Sequence, residues 1–100
     1  TGSFSKKDRS YIEDVIHGVL KNNDEIDSLI EKNAIGWKLN RISKVDLAIL
    51  RLGIYEIMFR EDIPYTVTVN EAVEMAKKYS TGESGSFING IFSKIPKGAK

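Results

Sequence analysis

Val45-Asp46-Leu47-Ala48-Ile49-Leu50-Arg51-Leu52-Gly53-Ile54-Tyr55-Glu56-Ile57-Met58-Phe59 is the stretch that decides the fold. It is apolar nearly all round, so the spacing predicts a helix buried on every side rather than an amphipathic surface helix. Ser43-Lys44-Val45-Asp46 reads as the cap that opens it, a serine three residues before an acid. Gly53 lies too far inside to be a cap and marks a close approach by another helix. Arg51 and Glu56 are interior polar groups, and each needs a partner if buried.

Downstream, Glu61-Asp62-Ile63-Pro64 ends that helix, because proline disfavours helical backbone in the residue before it. Tyr65-Thr66-Val67-Thr68-Val69 alternates as a strand would, but nothing else in the sequence offers a strand to pair with it, so the strand reading is rejected. Thr68-Val69-Asn70-Glu71 is read instead as a capping box opening a helix through Ala72, Val73, Ala76 and Tyr79. Ser80-Thr81-Gly82-Glu83 supplies a turn and a new cap. Phe87, Ile88, Ile91, Phe92 and Ile95 then form the apolar face of a last helix stopped by Pro96.

Upstream, Ser5-Lys6-Lys7-Asp8 is a cap signature, followed by an apolar stripe at Tyr11, Ile12, Val15, Ile16, Val19 and Leu20. Ile26, Leu29 and Ile30 continue it in phase. One long helix to about Asn33, bent at Asn22-Asn23, is therefore expected, with two shorter helices as the alternative. After Ala34-Ile35-Gly36, the tryptophan Trp37 is expected to plug the core, at the start of a short turn running to Ile42. The fold class is all-α: a single domain over residues 1–100, about five helices around a central buried one.

Composition narrows the chemistry. At 41% hydrophobic and 29% charged, the 100 residues suit one globular domain, and no apolar run approaches the roughly 20 residues of a bilayer crossing. A cytoplasmic home is expected. Zero cysteines exclude disulfides and thiolate chemistry, and one histidine leaves a multi-imidazole site without material, so no metal or cofactor is expected. Fifteen basic against fourteen acidic residues leave a net charge of +1, far from a protein that holds nucleic acid by charge alone.

No constellation supports catalysis. His17 has no serine or acid motif beside it, Glu71 and Glu74 read as a cap and a solvated neighbour, and Gly82, Gly85 and Gly90 lack phosphate-loop spacing. A binding module, not an enzyme, is expected, with its working surface on the helices between Val69 and Ile95. Within it, Tyr79 and Phe87 flank a tight turn carrying Glu83, with Lys77 and Lys78 adjacent. Exposed aromatics beside lysines grip unstacked bases, and Glu83 could accept from a base amino group. Closure of the core by both rings is the reading that spacing alone favours.

The stretch Val45 to Glu56, then Ile63-Pro64-Tyr65, Val69-Asn70-Glu71-Ala72-Val73-Glu74-Met75-Ala76-Lys77 and Phe87-Ile88-Asn89-Gly90-Ile91, in this order and spacing, resembles the C-terminal part of the NusB family of transcription antitermination factors. The likeness is strong over Trp37 to Ile95 and weak over Phe4 to Gly36. It implies a NusB-like helical bundle that binds the boxA element of ribosomal RNA operon transcripts together with NusE, a ribosomal small-subunit protein, within the RNA polymerase antitermination complex. On that resemblance Tyr79, Glu83 and Phe87 match RNA-contacting positions, Asp46 matches one near the partner protein, and Trp37 stays in the core.

One departure stands out. The family's arginine-rich first helix has no counterpart here, as if Thr1 were an internal start of an N-terminally truncated chain. Its loss would expose the apolar stripe of the first helix, which predicts a homo-oligomer or a covering partner. Two rivals remain: the NusB-like domain of a ribosomal RNA cytosine methyltransferase, and a helical protein-interaction module without RNA binding. The ending Pro96-Lys97-Gly98-Ala99-Lys100 favours a standalone factor. A DNA-reading helix is disfavoured because the last helix offers Lys94 alone as a base-reaching cation.

Overall fold

Five helices and one short 3-10 turn account for the described chain: α1 (Lys6–Lys21), α2 (Asn23–Asn33), the 3-10 turn (Leu39–Arg41), α3 (Lys44–Phe59), α4 (Tyr65–Tyr79) and α5 (Ser84–Phe92). The computed structural model describes residues 6–34, 36 and 38–95, with side chains from residue 9 onward. The expected cap at Ser5, the core role of Trp37 and the stop at Pro96 lie outside the described residues.

The central helix is where the sequence places it. Ser43 caps α3 by accepting from the Asp46 amide at 3.1 Å. Ile49, Leu50, Ile54, Ile57 and Met58 are buried, and α3 packs against each of the other four helices. At Gly53 a β-carbon would run into the Phe92 ring of α5, so the missing side chain is what lets the two helices close.

Both interior polar groups of α3 find partners. The Arg51 guanidinium donates through two nitrogens to the Asp27 carboxylate, at 2.8 and 2.9 Å, which pins α2 to α3. The Glu56 carboxylate accepts from the Tyr11 hydroxyl at 2.9 Å and from the Thr68 hydroxyl at 3.0 Å, tying α1, α3 and α4 through one side chain. At the start of α4, the Tyr65 hydroxyl donates to the Phe92 carbonyl at 3.0 Å.

Three expectations are corrected. The first pattern is two helices, not one. Asn22 turns both its amide hydrogens toward the Gly18 carbonyl, from the backbone at 3.0 Å and from the side chain at 2.8 Å, with backbone angles outside the helix. This local capping by asparagine outcompetes the next helical turn. The in-phase stripe splits accordingly: Val15, Ile26 and Ile30 go into the core, while Ile16 and Leu20 stay exposed.

The capping box at Thr68 is also overturned. α4 starts three residues earlier, after Pro64, whose carbonyl accepts from the amides of Val67 and Thr68. Proline fits just ahead of a helix, since it forfeits only an amide the helix leaves unpaired there. Thr68 is buried in the first turn of α4 and serves Glu56 instead of a cap.

The last helix is shorter than its apolar pattern. α5 ends at Phe92, and Lys94 and Ile95 follow in turns closed by hydrogen bonds three residues back, with Ile95 still buried.

Candidate nucleic-acid interface

The junction between α4 and α5 is fixed by hydroxyls. Ser84 donates to Asp46 Oδ2 at 2.9 Å, which uses its only proton. The hydroxyls of Ser80 and Thr81, each 2.9 Å from Ser84 Oγ, are therefore the donors in those bonds. Glu83, at the start of α5, makes no side-chain cap, so the expected cap acid is free at the surface. The turn is held by serine and threonine anchored on a carboxylate of the central helix.

Asp46 itself is only 8% exposed, and its Oδ1 is buried with no hydrogen-bond partner among the described residues. An acceptor stranded in this way costs roughly 1–3 kcal/mol, a tension concentrated at this one junction. Beside it opens a cavity of about 430 Å³ bordered by Arg41, Asp46, Thr81, Glu83 and Phe87.

The candidate residues thus fall into one region with different exposures. Tyr79 closes α4, one residue before Ser80 on the cavity wall, and is 63% exposed. The Lys78 ammonium sits 5.4 Å from the centre of that ring. Phe87 is half-buried, borders the cavity on one side and packs against the core on the other. Tyr79 is exposed with the Lys78 ammonium over its ring, while Phe87 belongs to both the core and the cavity. The Phe87 ring, an acidic acceptor and hydroxyl groups around one cavity can stack and hydrogen-bond a splayed base.

The remaining candidates stay apart from this region. His17 is exposed on α1, in a groove it shares with Glu13 and Asp14. Glu71 is exposed, and Glu74 makes a surface pair with Lys77 at 3.5 Å. Among the described residues no three histidine or acidic side chains gather as metal ligands would, and no helix is long and apolar enough to cross a membrane. Sequence reasoning missed the hydroxyl network and Arg41. The crowding of Ser80, Thr81, Ser84 and Ser86 could have announced the first, whereas Arg41 comes to the cavity only through folding.

Comparison with known proteins agrees with this architecture. The sequence pattern of the NusB family matches residues 1–97. The transcription antitermination protein NusB of Acetivibrio thermocellus is 66% identical over 94 residues, covering 94% of this chain and 65% of the relative. That of Ruminiclostridium cellulolyticum is 54% identical over 96 residues, covering 96% and 66%. A solved structure of T. maritima NusB superposes with a TM-score of 0.89 at 44% identity, covering 92% of this chain and 65% of that one. The chain spans just under two thirds of the length of these relatives.

Proposed function

The chain belongs to the NusB family, and from that premise we propose that it is the RNA-binding portion of a transcription antitermination factor, acting on boxA RNA of ribosomal RNA operon transcripts together with NusE in the cytoplasm. The relatives are named as antitermination proteins rather than as enzymes, which favours this reading over a methyltransferase domain.

The observation that carries it is the exposed Tyr79 beside Lys78, one residue before Ser80 on the wall of the cavity that Glu83 and Phe87 border. A buried pair of rings would have favoured a purely structural turn. Tyr79 and Phe87 stack bases, and Glu83 accepts from a base amino group. Asp46 anchors the turn from beneath, so a protein partner meets the surface that Asp46 shapes more than Asp46 itself.

The test is a titration of boxA RNA and a scrambled control, with and without NusE, at fixed salt. Preference for boxA with NusE present is expected. Tyr79→Ala should weaken RNA binding by the equivalent of about 1–3 kcal/mol, one stacked base, while leaving the melting temperature in place. Phe87→Ala should weaken binding and lower stability as well. Equal affinity for both RNAs, or no binding even with NusE, sinks the proposal.

A further inference from the structure

From Lys32 to Val45 the chain carries four cations, Lys32, Lys38, Arg41 and Lys44, and not one acid, although the whole chain has fifteen cations and fourteen acids. All four are exposed, and none makes an ion pair with a described residue. The stretch after Glu83 is likewise free of acids, with Lys94, Lys97 and Lys100. Lys32 to Val45 is thus the denser of two acid-free cationic stretches in a nearly neutral protein.

The fold puts that place against the aromatic junction. Gly36, with φ at 83°, is in the left-handed region that glycine enters without strain, three residues before the 3-10 turn. Gly36, Lys38, Asn40 and Arg41 border a second cavity of about 490 Å³. Arg41 borders this cavity and the one holding Glu83 and Phe87. The two cavities therefore share Arg41 in their walls. One side of Arg41 is basic and the other is aromatic and acidic, with Glu83 at the surface and Asp46 below.

We propose that Lys38, Arg41 and Lys44 form the phosphate track of this chain's RNA site, with Arg41 holding the phosphate of the nucleotide whose base lies at Phe87 and Glu83. The proposal rests on the RNA-binding reading. The polarity across Arg41 matches a nucleotide, which carries its charge at the phosphate and its amino donors at the base. A guanidinium pairs with phosphate oxygens through two parallel N–H bonds, and lysines on either side add point charges along the strand. Three cations within seven residues, on an otherwise acid-leaning chain, also steer a polyanion toward this end of the molecule. An acidic protein surface is the rival occupant, but it would leave the adjoining aromatic cavity without a use.

The experiment measures binding of a labelled twelve-nucleotide single-stranded RNA containing all four bases, by fluorescence anisotropy over roughly 50 to 300 mM salt. Each phosphate neutralised on a single strand contributes about 0.7 to the slope of log affinity against log salt. Arg41→Ala and Lys38→Ala should each lower that slope by about 0.7, with helix content unchanged, and Arg41→Lys should restore it. Phe87→Ala should weaken binding with the slope intact. If the slope survives Arg41→Ala and Lys38→Ala while Phe87→Ala still weakens binding, the phosphate track is wrong and the RNA reading stands. If the unaltered chain binds no RNA, alone or with NusE, both fall. If the same substitutions impair only NusE binding, the segment is a protein interface and the phosphate track is wrong.

Discussion

Tyr11 shows how one side chain can link a helix to the pH at which the fold survives. Its hydroxyl is pushed up from the ordinary 10.0 to about 12, first by burial and then by donating to the Glu56 carboxylate, a bond that only the protonated phenol can make. The Arg60 guanidinium lies 4.8 Å from the centre of the same ring and opposes that shift. Because the folded protein holds this proton more tightly than the unfolded chain, the stabilisation is complete below the unfolded value of 10.0. It is lost as pH rises from there through about 12. Melting temperature should therefore fall more steeply above pH 10 in the native chain than in Tyr11→Phe. Parallel curves for the two proteins would show that the bond to Glu56 does not hold in solution.

At the level of elements, the close packing of α3 and α5 is sensitive to a single substitution. Gly53→Ala places a methyl group where the Phe92 ring now lies, and Phe92 is fully buried. Overpacking of this kind costs about 1–3 kcal/mol. Chemical denaturation should register that loss, whereas Gly82→Ala, which meets nothing, should cost far less.

What was legible at this scale follows from how local each signal is. The Ser43 cap, the burial of α3, the role of Gly53 and the need of Arg51 and Glu56 for partners were all readable, because each follows from residues within a few turns. The start of α4 was not, because Thr68 looks like a cap until Glu56, twelve residues earlier, claims its hydroxyl. The break at Asn22 was present as a signal but lost to the in-phase stripe, since periodicity cannot weigh a side-chain bond to Gly18. Of the residues singled out from sequence, Glu83 and Phe87 border one cavity, while Tyr79 is outside its lining. Arg41 could join them only through the tertiary fold.

Across the whole molecule the packing is that of a folded domain, with a radius of gyration of 13.3 Å against about 13 Å for 100 residues, yet α1 keeps one apolar side uncovered. Ile12, Ile16 and Leu20 fall at steps of four on that helix, and Leu20 is 70% exposed. The opposite side of α1 is the one used, with Val15 buried and Tyr11 bonded to Glu56. Contiguous apolar patches on soluble proteins mark contact surfaces more often than idle ones. Ile16→Glu combined with Leu20→Glu should therefore leave stability within about 0.5 kcal/mol per site, as is usual for exposed positions without partners. It should also abolish concentration-dependent association of the chain in sedimentation velocity. A chain that sediments as a monomer at every concentration, with or without the substitutions, would show that this stripe does not bind a second copy. A large loss of stability would instead place the stripe in the core and contradict the packing of α1.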